Sequence, residues 1–473
     1  MNDLSIGVAI AIDVFAILVY VTLVLRKIPS PLHPAWMFLG LHLYIVSLRL
    51  IQLASGGSPL KVTFAWAVAV SEVARAGVAS DLGLVSIAVG MLIASAIQKN
   101  LGKFRLQRGT PLSRGRLIFC SVIALSVGTV GMVLTGHLDF SYRNAGWSTS
   151  GYLAITSSWP AWGVCIAHFL FGFTPLLLGI STVVVAMVGY FNVSRFAVII
   201  PITLMLAIWL SRRRQRGIPW PLIASLLVLW VAWLPLKPFT GLVRDGVPIL
   251  DAVSQSIDLT VESMSRDEGH IDQAYLDMIG STMTLSDLHG SYYWGSTLLP
   301  IIYIPIPRFL WPAKPQTNEY QWELQIPSRN MAKLGMTSGL VGEGYVNFGY
   351  FGVALYCFAI GALYGTAYAR SLRSGNKSPG TFLYLLLMCC SLQIYRDGLV
   401  SALFFPFVYA APVSWGVLSH WIWKPRTPIG RRSRVPSPLG AAVGIEPSFT
   451  LQQPLGVWQN RGEVRPRKQV VHQ

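Results

Sequence analysis

Apolar runs long enough to cross a bilayer recur along this chain to about residue 423, separated by short basic clusters. A spanning helix needs about 20 mostly apolar residues, and residues 4–25, 35–54 and 117–136 each supply such a run. Only 12% of the 473 residues are charged, against 53% hydrophobic. A soluble domain averages about 25% charged residues, so this chain cannot cover a soluble surface with polar groups. A secreted soluble enzyme, a nucleic-acid-binding factor and a disordered protein are excluded. The net charge of +17 sits in clusters between apolar runs, as the positive-inside rule describes. The expected fold is an all-α polytopic membrane protein.

No basic residue precedes the first run, and Arg26 and Lys27 follow it. A signal peptide has the opposite flank, so this reads as a retained helix with its N-terminus outside. Residues 62–78, carrying Glu72 and Arg75, read as an interfacial or partly buried helix. Residues 82–97, after Asp81, read as the next span. The loop holding Lys99, Lys103, Arg105, Arg108, Arg114 and Arg116 is the clearest cytoplasmic one. Parity between residue 159 and Arg212 requires three spans, with a break at Gly172-Phe173-Thr174-Pro175. Residues 196–210 and 218–236 supply further spans, and 345–368, 380–395 and 399–423 complete the set. The expectation is about eleven spans, N-terminus outside and C-terminus inside. Inside segments then hold 24 of the 37 Lys and Arg residues.

The chain accordingly divides into an N-terminal membrane bundle of about eight spans (residues 1–236), a large extracytoplasmic loop (237–343), a C-terminal bundle of about three spans (344–423) and a disordered basic cytoplasmic tail (424–473). The loop carries 12 of the 20 carboxylates. Its apolar stretch 294–310 contains Pro300, Pro305 and Pro307, which disfavour a straight spanning helix; a re-entrant or interfacial segment is expected there. Cys120, Cys165, Cys357, Cys389 and Cys390 all fall in apolar runs and show no disulfide or zinc spacing.

Three outer-side features carry possible chemistry. Arg195 precedes a span, where it is either an interfacial anchor or a fixed cation for a diphosphate. Residues 307–315 hold Arg308, Trp311 and Lys314 among three prolines. Arginine offers phosphate a planar fork and lysine a point charge, and tryptophan can receive an apolar sugar face; an aromatic belt with interfacial cations is the structural alternative. Residues 337–352 set five glycines around Glu343, which is expected to face the outer aqueous mouth. His289 is a candidate base or a solvated loop residue. His42 and His168 lie in spans and are expected to be satisfied inside the bundle. No Walker A, GxGxxG or HExxH motif occurs, so neither an ATPase nor a zinc hydrolase is supported.

The stretches 307–315 and 338–352, in that order before a late span, resemble bacterial oligosaccharide repeat-unit polymerases of the O-antigen polymerase (Wzy) type. Ser194-Arg195 and Tyr395-Arg396-Asp397-Gly398 support the resemblance, as does the many-span layout with one large outer loop. It implies transfer of a growing glycan from its polyprenyl-diphosphate carrier to a new lipid-linked unit, on the outer face of the bacterial inner membrane. Glu343 is then the first choice and His289 the second for taking the acceptor proton, and Arg308 stabilises charge on the leaving diphosphate. Arg195, Trp311, Lys314, Arg396 and Asp397 bind substrate. No cofactor and no required metal are expected. Expected partners are the lipid-linked donor and acceptor, membrane lipids and a chain-length regulator protein, with no nucleic acid. The competing readings are an O-antigen ligase and a flippase or secondary transporter. Few acidic residues deep in the spans (Asp13, and Glu72 if buried) and no visible internal repeat disfavour the transporter.

Overall fold

The computed structural model describes residues 4–27, 30–59, 68–101, 114–136, 155–191, 196–213, 246–265, 275–303, 306, 310–315, 338–375 and 378–422, with isolated residues between 235 and 242. The expected span 218–236, most of the outer loop after residue 136 and the tail 424–473 lie outside the described residues, which are helical with no strand.

Helix α1 (Ile6–Leu23) starts at Ser5, whose hydroxyl accepts the Val8 N–H. Its Val14, Phe15 and Leu18 point outward. Helix α2 (Pro34–Ala54) starts where Pro34 supplies a preset φ and His33 Nδ1 accepts the Ala35 N–H at 3.2 Å. Directly after His42 it widens into a π turn, Leu43–Ser47.

Helix α3 (Val70–Leu101) runs unbroken for 32 residues, which corrects the expected division into an interfacial helix and a separate span. One helix can hold Glu72, Arg75 and Asp81 because each is partnered. Glu72 accepts the Ala69 N–H at 2.9 Å, closing the helix start. Arg75 pairs with Asp287 at 2.6 Å, and Asp81 with His42 at 3.1 Å.

Helices α4 (Arg114–Gly136), α5 (Trp159–Phe171), α6 (Pro175–Phe191) and α7 (Phe196–Arg213) follow. The expected break falls between α5 and α6, where Arg212 of α7 donates to the Phe169 carbonyl and closes the exposed end of α5. Between residues 246 and 303 lie α8 (Ile249–Ser265), α9 (Tyr275–His289) and the short α10 (Pro300–Tyr303). Most of α9 is buried against α3, so this part of the predicted polar loop belongs to the helical core.

Helix α11 (Gly339–Ser374) breaks at Phe348-Gly349, where Gly349 has φ +63°. The chain folds back there. A Cβ on Gly352 would lie 2.0 Å from the Gly344 carbonyl oxygen, whereas a continuous helix would separate those residues by about 12 Å. The expected span 345–368 therefore starts after a short helix, 339–347, packed on its own successor. The last helices are α12 (Pro379–Cys389), α13 (Ser391–Asp397), α14 (Leu399–Phe404) and α15 (Ala411–Ile422). The expected straight span 399–423 bends by 80° between Tyr409 and Ala411, in a segment with Pro406 and Pro412 that cannot keep a regular hydrogen-bond ladder.

Helix α3 is the hub, packed against α1, α9 and α11. Small residues let α3 and α11 meet backbone to backbone: a Cβ on Gly361 would lie 2.2 Å from the Ile87 oxygen, and one on Gly90 2.3 Å from the Phe358 oxygen. Gly361 and Gly365 form the small-xxx-small spacing that serves close packing where hydrophobic driving force is absent. Among the described residues, five helices are long and apolar enough to cross a membrane, or six if the bent pair counts as one. Helices α5, α6 and α12 are apolar but shorter. The outward residues Phe15, Phe119, Val130 and Val183 make an apolar exterior, suited to lipid. All five cysteines are free thiols.

Candidate functional site

Glu343 lies at the meeting point of three segments far apart in sequence, and it is only 4% exposed. That corrects the expectation that it faces an aqueous mouth. Its helix begins at Gly339 and turns back at Gly349, which places Glu343 mid-helix against the start of α14. Oε2 accepts the Leu399 N–H at 2.6 Å, an orphan donor at a helix start that favours a negative partner. Oε1 accepts the Thr297 hydroxyl at 3.2 Å. Gly398, with φ +92°, leaves room for the carboxylate: a Cβ there would lie 2.1 Å from Oε2.

One turn on, Asn347 donates to Thr297 Oγ1 and to the Glu343 carbonyl, both at 2.7 Å. Its Oδ1 accepts the Gly295 N–H, also at 2.7 Å. The Tyr293 and Trp294 N–H groups donate to the Val346 and Asn347 carbonyls. The segment 293–297 is thereby tied to the end of the short helix. Gly339 lies under the Tyr395 and Arg396 carbonyls, and a small cleft lined by Ile45, Tyr275, Ile279, Gly339, Tyr395 and Arg396 opens beside it. The two stretches singled out in sequence, 338–352 and 395–398, thus form one cradle.

The other expected residues are placed differently. Arg396 sets its guanidinium 4.9 Å from the Tyr275 ring and pairs with Asp397 at 3.1 Å. Trp311 is 39% exposed and meets Tyr303 edge-on. Lys314 Nζ donates to the Ile306 carbonyl at 2.9 Å and also lies over Tyr303. Tyr303 belongs to α10, which packs against α14, so this pair borders the cradle. His289 is exposed at the end of α9, stacked on Tyr293. Among the described residues, the hydrogen bonds of the Glu343 carboxylate go to Thr297 and Leu399, not to His289 or Lys314. Arg195 and Arg308 lie outside the described residues.

Sequence reading missed three polar clusters. Arg75 pairs with Asp287, donates to Tyr350 at 3.2 Å and to Tyr345, and Tyr345 donates to Asp287 at 2.8 Å. Arg49 holds Asp277 bidentately at 2.9 and 2.6 Å, with both side chains fully buried. His42 Nε2 lies 2.9 Å from Asp13 Oδ1 and 3.1 Å from Asp81 Oδ1, and its Nδ1 lies 3.4 Å from the Tyr395 hydroxyl. The charged residues themselves were the available signal, since an ionisable group inside a span needs a named partner. The expectation that His42 and His168 are satisfied inside the bundle holds for both, and the His168 nitrogens meet the Gly172 carbonyl and the Ser181 hydroxyl.

The described residues form membrane-length apolar helices, with a buried carboxylate joining two of the turns between them. No protein-family model, curated protein or solved structure matches the chain.

Proposed function

We propose that the protein is a membrane-embedded glycosyltransferase that joins polyprenyl-diphosphate-linked oligosaccharide units on the outer face of a bacterial inner membrane. The observation that supports this reading is the convergence of residues 338–352 and 395–398 on one cradle, because these are two of the stretches that resemble repeat-unit polymerases. In this reading the buried Glu343 holds the turn that carries Arg396. Arg195, Arg308 and Lys314 are the cations for the leaving diphosphate, where preorganised donors lower the barrier most. Trp311 offers a platform to a sugar, and the exposed His289 takes the acceptor proton.

Deleting the gene and analysing the surface polysaccharide tests the reading. Long chains should vanish while single repeat units persist. Accumulation of free lipid-linked polymer would instead identify a ligase. The buried Asp13, His42 and Asp81 favour a second reading, a flippase or secondary transporter, because acidic residues inside a span mark ion pathways; loss of every surface unit would identify it.

A further inference from the structure

Asp13, His42 and Asp81 come from three different helices, α1, α2 and α3, yet their ligand atoms lie within 4.8 Å of one another. None of the three is more than 4% exposed. Two carboxylates facing one imidazole carry two negative charges when the imidazole is neutral. Among the described residues, the ion-pair partner of both carboxylates is His42, and no Lys or Arg pairs with either. A buried charge persists only when paired or bound to a metal.

The geometry suits one ion. Metal–ligand bonds of about 2.0–2.2 Å at tetrahedral angles set donor atoms about 3.3 Å apart, close to the 2.9 and 3.1 Å from His42 Nε2 to the two carboxylate oxygens, and all three donors lie within 4.8 Å of one another. Two further groups face the site without partners of their own. Asp81 Oδ2 is buried and makes no hydrogen bond. Ser47 is 7% exposed; its hydroxyl lies beside Asp13 without completing a hydrogen bond. Ser47 ends the π turn that begins just after His42, and π turns inside helices recur at functional sites. Tyr395 holds the other imidazole nitrogen, Nδ1, as outer partners of ligating histidines do.

We propose that Asp13, His42 and Asp81 form a binding site for one divalent first-row metal ion, Zn2+ or Mn2+, held by two carboxylate oxygens and His42 Nε2. One imidazole with two carboxylates suits these ions and not the softer ones that need thiolate. A 2+ ion cancels the two carboxylate charges, and the buried Asp81 Oδ2 and Ser47 hydroxyl are further oxygens beside the three ligands. The site ties the first three helices together, and through Tyr395 it bears on the turn that Glu343 holds.

The test uses the full chain, purified in detergent with a tag that binds no metal, stripped by dialysis and reloaded with Zn2+. Plasma mass spectrometry should find one zinc per chain. Asp81→Asn and Asp13→Asn should lower zinc occupancy at fixed free zinc by about tenfold or more, while Glu72→Gln on the same helix retains it. X-ray absorption of the Co2+-loaded wild-type protein should show a nitrogen and oxygen shell that includes imidazole. This second measurement needs no variant, so it decides the matter if an Asn variant aggregates. The proposal is overturned if the wild-type chain retains no ion at micromolar free zinc, in which case protons hold the carboxylates. Unchanged occupancy in the Asn variants, or a cobalt shell with sulfur or without imidazole, overturns it equally.

Discussion

Replacing Gly398 with Ala puts a methyl group where Glu343 already stands. The new Cβ would lie 2.1 Å from Oε2 and 3.2 Å from the carboxyl carbon. Two costs add. An L residue held at φ +92° and ψ −173°, a region occupied almost only by glycine, loses about 1–3 kcal/mol. The carboxylate must also move off the Leu399 N–H, now 2.6 Å away, and a hydrogen bond to a charged group contributes about 1.5–3 kcal/mol. The expected destabilisation is about 3–6 kcal/mol, read as a shift in equilibrium unfolding of the detergent-purified protein. A double-mutant cycle separates the two costs. In a Glu343→Ala background the overlap is gone, so Gly398→Ala should cost only the backbone share, about 1–3 kcal/mol. A coupling of about 2 kcal/mol or more between the two sites is therefore expected. Strictly additive losses, or a Gly398→Ala loss below about 0.5 kcal/mol, would refute the placement of the carboxylate on this glycine.

Two further expectations rest on the structure and two on the sequence. Asp277→Ala should cost about 3–5 kcal/mol by stranding the fully buried Arg49, whereas Arg49→Met with Asp277→Leu should recover most of the loss, both read from the monodisperse fraction on gel filtration. Burial pushes His33, just ahead of α2, down to about 4 from its usual 6.5; its stabilising contribution is full above pH 6.5 and declines as pH falls toward 4, because the unfolded chain binds the proton first. His33→Asn should keep the helix cap and flatten that part of the stability–pH curve. Arg308→Lys should reduce polymer formation from a lipid-linked repeat unit about a hundredfold, since the ammonium cannot reproduce the guanidinium fork, and near-normal activity would reduce Arg308 to an interfacial anchor. A reporter active only outside should work when fused after Ser265 and fail after Arg105; the reverse pair would overturn the proposed orientation.

Local rules carried the reading a long way. The first helix, the apolar run 35–54 and the break at residues 172–175 follow from run length and from proline and glycine positions, and all are present. What failed depends on partners distant in the chain. Arg75 and Asp81 point to an interfacial helix until Asp287 and His42 are seen to meet them. The glycines around Glu343 signalled close approach, but not that the helix folds back on itself, and that reversal turns an exposed carboxylate into a buried one. The polar composition of residues 237–343 suggested a solvated loop, while Arg49 draws α9 into the core.

The Arg49–Asp277 pair has a consequence in time as well as in space. Its members are 228 residues apart, and at about 5–20 residues per second the second emerges some 10–50 s after the first. For that interval α2 is complete while its guanidinium has no carboxylate of α9 to meet. The helix must wait near the membrane surface, or be shielded by water or the insertion machinery, until Asp277 arrives. Asp13, His42 and Asp81 are all made within the first 81 residues, so that cluster can assemble early. The charges thus set which contacts can be completed when: the cluster of Asp13, His42 and Asp81 needs only the first 81 residues, whereas Arg49 has local partners such as Gln52 and Ser58 until Asp277 is made.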